Sequence, residues 1–145
     1  MRKDAIRTIA ICVFRNGNRI LAGEGFDSIK QQLFYRPLGG TIEFGERSDE
    51  TIRRELIEEI KAEVTDLRYI GLLENFFIYA GEKGHEIILV YDGQFVDRSL
   101  YEKTVIIGDE LGSPIRAVWV DLNDRGPGKP PLYPTGLVEL LQKDQ

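Results

Sequence analysis

The chain has little with which to build a disulfide or a zinc site. Its 145 residues include one cysteine, Cys12, and one histidine, His85. A lone cysteine excludes an internal disulfide, and inside the apolar run Ile9-Ala10-Ile11-Cys12-Val13-Phe14 it reads as a small buried hydrophobe. That cysteine usage suits a reducing cytoplasm. One histidine excludes most catalytic zinc chemistry, which draws on several His or Cys ligands. No apolar run approaches the ~20 residues of a membrane span, and the N-terminus shows no signal-peptide core. Net positive charge is also missing: 19 Lys and Arg face 24 Asp and Glu, a formal charge of −5. Such a chain is a poor non-specific partner for a nucleic acid duplex or an anionic membrane. It can still hold phosphates if cations accompany them.

What is present fits one domain over residues 1–145. No repeat, low-complexity tract or linker divides it. Residues 6–14 read as a buried strand. Asn16-Gly17 signals a hairpin, with 19–24 as the return strand. Residues 33–37 read as a short edge strand leading to Gly39-Gly40, since Pro37 argues against a central position. Ser48 is the expected N-cap of a helix running to about Ile60, with Asp49 and Glu50 in its first turn. Two β-type runs follow, 69–79 and 86–95, joined by an expected loop Gly81-Glu82-Lys83-Gly84. Residues 97–114 read as irregular, with Gly108-Asp109-Glu110 in a mobile loop. A strand over 115–120, a Pro/Gly loop over 126–131 and a short helix over 135–141 complete the chain. Many strands around two helices predict an α/β or α+β layered domain with a mixed sheet.

The helix carries the chemistry. On a wheel of about 100° per residue with Glu55 at zero, Glu59 lies at about +40° and Glu58 at about −60°. Ile52, Leu56 and Ile60 form an adjoining apolar stripe suited to a sheet. Three carboxylates therefore point to one locality, flanked by Arg54. Like charges at i,i+4, here Glu55 and Glu59, cost a helix a few tenths of a kcal/mol, roughly. A divalent cation resolves that conflict. Carboxylates without His or Cys select hard ions, Mg²⁺ or its substitute Mn²⁺, and Mg²⁺ favours phosphate oxygens as further ligands. An acidic helix face alone is ordinarily just solvated. The segment before the helix alters that judgement.

From Gly40 to Ala62 the chain reads GTIEFGERSDETIRRELIEEIKA. This closely resembles the signature of the Nudix hydrolases: Gly, five residues, Glu, seven residues, Arg-Glu, an aliphatic, any residue, Glu-Glu, any residue, Gly, an aliphatic. Gly40, Glu46, Arg54, Glu55, Leu56, Glu58 and Glu59 match. Lys61 replaces the last Gly and Ala62 the larger aliphatic, which bears on how the helix ends, not on metal ligands. Weaker similarities extend along the chain at Glu74-Asn75-Phe76-Phe77, His85-Glu86, Trp119-Val120 and Leu132-Tyr133-Pro134.

The resemblance implies an αβα sandwich around a mixed sheet. It implies a Mg²⁺-dependent pyrophosphohydrolase acting on a nucleoside diphosphate linked to another group. Glu55, Glu58 and Glu59 would be metal ligands, one of them a candidate base, and the Gly39 carbonyl would complete the shell. Arg54 would orient its carboxylate neighbours, and Glu46 would support them or, as in some relatives, serve as a ligand. A further acid from a downstream segment is implied, with Glu86, Glu102 and Glu110 as candidates and Glu86 slightly favoured. Deoxynucleoside triphosphates, nucleotide sugars and dinucleoside polyphosphates all stay open as substrates, and a homodimer is compatible with the family. The rival reading is a non-catalytic domain that binds a nucleotide; it is disfavoured because every carboxylate of the signature is present.

Phe76, Phe77 and Tyr79 could stack on a base, although core packing suits at least one of the two phenylalanines. Arg36, Arg15 and Arg19 are candidate phosphate contacts, Arg36 foremost, and Glu86 is also a candidate substrate contact. His85 beside Glu86 fits a structural hydrogen bond better than a substrate contact. Gly126-Pro127-Gly128-Lys129 lacks the spacing of a P-loop, and no G-x-S-x-G supports a serine hydrolase.

Overall fold

A computed structural model describes residues 4–144. The strands are β1 (Ile6–Asn16), β2 (Arg19–Asp27), β3 (Gln32–Arg36), β4 (Gly39–Thr41), β5 (Val64–Tyr79), β6 (Glu82–Phe95), β7 (Val105–Glu110) and β8 (Ser113–Asp121). Helix α1 (Ser48–Ile60) follows β4, and α2 (Leu137–Lys143) ends the chain. The sheet runs β5-β6-β1-β2-β8-β7, with β3 paired to β2 and β4 to β1. It is mixed, because β1 and β6 are parallel while the other pairs are antiparallel.

Strand β1 shows why two helices are needed. Ala10, Cys12 and Phe14 pack with Ile52 and Leu56 of α1, whereas Ile9, Ile11 and Val13 pack with Leu137 and Leu141 of α2. Alternate side chains leave a strand on opposite faces, so its uninterrupted apolar run requires cover on both. The αβα layering follows directly.

Strands β1 and β2 pair only at Arg15↔Ile20 and Asn16↔Arg19, next to their turn. Beyond it they diverge, and the chain from β3 to β4 fills the wedge. β4 adds to Ile9–Ile11 of β1, and the Cys12 N–H donates to the Leu38 carbonyl at 3.0 Å. The site is built along this opening.

Three local expectations are corrected. Ser48 is the first helical residue and not the cap; its hydroxyl is engaged with the Tyr91 hydroxyl at 2.6 Å. Arg47 takes the N-cap position, and its N–H is held by the Glu50 carboxylate at 2.7 Å, half of a capping box. The β5–β6 turn is Ala80-Gly81, both with positive φ, so Glu82 and Lys83 belong to the strand opposite Tyr79 and Ile78. Gly84 is also in β6, where the Phe77 ring occupies the space of a side chain. Residues 97–114 are not irregular: a 3₁₀ turn (Arg98–Glu102) and β7 occupy most of them, and β8 starts at Ser113 after the tight turn Leu111-Gly112. Gly108 and Pro114 are usual breakers, and here both lie in an edge hairpin that tolerates them.

Lys61 ends α1 in the left-handed conformation, φ 55°, where the signature has glycine. Its N–H still reaches the Ile57 carbonyl at 2.9 Å, and that of Ala62 reaches Leu56 at 3.2 Å. The cap is therefore formed with a residue that pays a left-handed penalty of ~1 kcal/mol. Lys61→Gly is expected to raise unfolding free energy by about 0.5–1 kcal/mol in urea titrations, with the m-value unchanged.

Candidate active site

Gly40 makes the first contact between the loop and the helix. The Glu55 carboxyl group lies where a Gly40 side chain would be, so the absence of Cβ lets this carboxylate rest against β4. At the other end of the helix a side chain at Gly108 would overlap the Glu59 carbonyl oxygen, so β7 also abuts α1 without a side chain between them. The helix is thus clasped between two glycine-bearing strands.

Arg54 is the hub of the carboxylates. Its Nε and Nη2 donate to Glu46 at 2.7 and 3.0 Å, and Nη1 donates to Glu55 at 2.8 Å and Glu58 at 3.4 Å. Nη2 also reaches the Thr41 carbonyl at 3.1 Å, tying the helix to β4. Glu46 takes a third bond from the buried Thr51 hydroxyl at 2.7 Å. These bonds, Arg54 first, hold the Glu46 carboxyl down at about 2. Arg54 in turn is fixed as a cation, chiefly by Glu46. A planar fork serves such multiple bonding; an ammonium would not.

The acids differ in environment. Glu58 has a side chain 59% exposed. Glu55 is more enclosed, and burial raises its pKa against the opposing pull of Arg54. Glu59 is only 6% exposed, and its Oε1 has no hydrogen-bond partner. Burial first, then the charges of Glu55 and Glu110, push its carboxyl up to about 8, while the Gly39 backbone offsets part of this. A buried carboxylate oxygen without a partner costs free energy that a bound cation would recover. All available donors are oxygens, which fits a hard divalent ion. Among the described residues there is no group of three His, Cys, Asp or Glu side chains placed to hold a metal ion by themselves. Mg²⁺ does not require one, because it keeps waters and takes phosphate oxygens.

The model of the NUDIX domain matches residues 5–138. The chain belongs to the Nudix family. Solved structures agree in fold. A MutT NUDIX hydrolase from Burkholderia pseudomallei superposes with a TM-score of 0.67 at 17% identity, covering 96% of this chain and 98% of that one. A NUDIX hydrolase from Nitrosomonas europaea gives 0.60 at 16% identity, covering 97% and 88%. The E. coli ORF135 protein gives 0.57 at 17% identity, covering 95% and 89%. Membership in the Nudix family implies a hydrolase of nucleoside diphosphate derivatives, small molecules that a cleft can enclose.

Two cavities adjoin one another, and the smaller reaches the Nudix helix at Glu59. The smaller, about 280 Å³, is lined by Gly39, Gly40, Glu59 and Glu110. The larger, about 960 Å³, contains Phe76, Tyr79 and the aromatic pair Phe34 and Tyr133. Arg7, Phe34, Arg36 and Glu86 line both, so the two form one continuous cleft. Arg36, Phe76, Tyr79 and Glu86, singled out from the sequence as substrate contacts, are thereby brought to one cavity. Of the helix acids, Glu59 lines the cleft, in the smaller cavity.

The three downstream acids separate. Glu110, at the end of β7, faces the smaller cavity and perturbs Glu55 and Glu59. Glu86 is paired with Arg36 at 2.9 Å and Arg7 at 3.6 Å, so its charge is already matched. Glu102 closes the 3₁₀ turn and is not among the described residues lining the cleft. Sequence reasoning missed Arg7 and Asn75, which meet Glu86 only through sheet register. Arginines Arg15 and Arg19 also lie outside the cleft lining; Arg15 bonds Asp92 and Asp144 instead.

Proposed function

We propose that this Nudix chain is a Mg²⁺-dependent pyrophosphohydrolase that cleaves the diphosphate bond of a nucleoside diphosphate linked to another group. The observation that carries this reading is the buried Glu59 carboxyl group, one of whose oxygens has no hydrogen-bond partner, at the acid end of a cleft whose middle is lined by arginines. Anionic ligand atoms for a cation and cationic side chains for a phosphate adjoin within one enclosure.

Glu55, Glu58, Glu59 and the Gly39 carbonyl would hold the ion. When bound, Mg²⁺ (or Mn²⁺) neutralises diphosphate charge and acidifies water towards a usable nucleophile. Arg54 keeps Glu55 and Glu58 aimed into the site, with Glu46 anchoring the guanidinium. One helix glutamate accepts the proton of the attacking water. Arg36 binds phosphate, and Phe76 and Tyr79 offer apolar faces to the base or the attached group. We read the chain as a single domain acting on small molecules in the cytoplasm, without nucleic acid duplex or membrane; a homodimer is compatible with this. Among the described residues no helix is long and apolar enough to cross a membrane.

Incubation with a panel of nucleoside diphosphate derivatives tests the proposal. Release of phosphate or a mononucleotide is expected with Mg²⁺, is restored by Mn²⁺ and is lost in excess EDTA. Glu58→Gln is expected to slow turnover on the order of 10²-fold with the fold intact. Nucleotide binding with no turnover of any panel member under either metal would instead point to a non-catalytic binding domain.

A further inference from the structure

The junction of the two cavities is built around a carboxylate that solvent does not reach. Glu86 is 1% exposed. Its neighbours across the sheet are Arg7 on β1 and Asn75 on β5, each in register with it. Arg36 approaches from β3. Glu86 Oε1 accepts from Arg36 Nη2 at 2.9 Å and from Asn75 Nδ2 at 3.4 Å, and Oε2 pairs with Arg7 Nη1 at 3.6 Å. Arg7 is held a second time through Nη2, which donates to the Thr41 hydroxyl at 2.6 Å. The two arginine side chains are partly exposed, 35% and 27%, and both line the cleft on each side of the junction.

Charge and donor counts indicate what this arrangement is for. One carboxylate faces two guanidiniums, leaving a net positive charge at the junction. A guanidinium has five N–H donors. Among the described residues Glu86 is the only side chain accepting from Arg36, and Arg7 donates only to Thr41 while ion-paired with Glu86. Several N–H groups therefore stay directed at the cleft. Burial of Glu86 and its bond to Asn75 restrict where both forks can point.

We propose that Arg7 and Arg36 form a two-arginine clamp for the diphosphate, and that Glu86 is its positioning residue and does not itself touch substrate. The clamp rests on the reading of the cleft as a diphosphate site, but its binding step needs no hydrolysis. One oxygen of the Glu86 carboxylate accepts from Arg36 and Asn75, and the other stays anionic beside Arg7 at 3.6 Å. Glutamine offers one acceptor oxygen and an NH₂ group, which would face a donor. Glu86→Gln must therefore release one arginine, although it removes a negative charge from beside the bound anion. Positioning and simple electrostatics thus predict opposite signs.

The probe is imidodiphosphate, a diphosphate analogue with a P–N–P link that is not hydrolysed, titrated calorimetrically into the full chain with Mg²⁺ and separately with EDTA. Arg36→Gln and Arg7→Gln are each expected to weaken binding about 10-fold or more in both conditions. Glu86→Gln is expected to weaken it about as much, and the double variant Arg36→Gln/Glu86→Gln to bind no more weakly than Arg36→Gln alone. On any substrate that is turned over, Glu86→Gln should raise KM while leaving kcat within about threefold. Binding that is unchanged or tighter in folded Glu86→Gln would overturn the positioning role. If that variant does not fold, unchanged binding in both arginine variants would overturn the clamp. A chain that binds imidodiphosphate through the arginines yet hydrolyses nothing would refute the pyrophosphohydrolase reading alone.

Discussion

Glu59→Gln is expected to lower turnover on the order of 10²–10³-fold and, without metal at pH 8, to leave the protein more stable than the wild type. The two effects have one source. Glu59 is nearly closed off from water beside Glu55 and Glu110, and its carboxyl is pushed up to about 8. In the unfolded chain it titrates near 4.5. Between those values the folded state retains a proton that the unfolded state has released, so stability falls as pH rises. The slope approaches ~1.4 kcal/mol per pH unit for one group. Glutamine has no charge to bury, so the variant's stability should be flatter between about pH 5 and 8. Mg²⁺ should reverse the ranking, because only the wild type has the anionic oxygen whose burial the ion offsets. Melting temperatures across this pH range, with EDTA and with Mg²⁺, check all three statements. Wild-type activity in Glu59→Gln, or parallel pH–stability curves, would remove Glu59 from the site.

That pattern of strain was partly legible in the sequence. The spacing of Gly40, Glu46, Arg54, Glu55, Glu58 and Glu59 is a local signal, confined to one loop and one helix. So is the core strand, since Ile9 to Phe14 form a continuous apolar run. Local signals also misled where tertiary partners took over. Ser48 has the chemistry of a cap, but the Tyr91 hydroxyl on β6 claims its side chain. Gly108 and Pro114 read as breakers, yet Gly108 lies in an edge strand because the end of α1 packs where its side chain would be. Lys61 occupies a position that favours glycine, and the αL bond forms nevertheless.

The missed site residues have a common cause. Arg7 and Glu86 are 79 positions apart in numbering, and only the parallel register of β1 and β6 makes them neighbours. Asn75 reaches Glu86 through the β5–β6 register, which runs unbroken from the pair Tyr79↔Glu82 to Gly71↔Val90. A single sequence carries no sign of either register. Likewise Glu110 had only its charge to recommend it over Glu86 and Glu102. Its place beside Glu59 follows from the β7–β8 hairpin, which the breaker residues concealed.

Adjacent glycines at the start of the site should respond differently to the same added methyl group. Gly39 has φ 155°, and a Cβ there would overlap the Ala10 carbonyl oxygen and come within 2.7 Å of the Ile11 Cα. These are backbone atoms of the central strand, hemmed in by both core layers, and they have nowhere to go. Gly39→Ala is expected to cost about 3 kcal/mol or more and to yield little folded protein. At Gly40 the nearest atoms to the methyl are all of the Glu55 carboxyl group, a flexible end that can rotate aside. Gly40→Ala should therefore fold and melt within a few degrees of the wild type, roughly a 1 kcal/mol effect. Its cost should appear in catalysis. A Glu55 carboxylate displaced by about 1 Å from the position that Arg54 gives it is expected to lose on the order of 10²-fold in kcat. Arg7 and Arg36 are held by Thr41 and Glu86, not by Glu55, so binding of imidodiphosphate at these arginines should survive. Turnover, melting temperature and that binding, measured together on Gly40→Ala, separate a misplaced ligand from a damaged fold. Full activity in a well-folded Gly40→Ala would show that the contact between Gly40 and Glu55 does not set the geometry of the site.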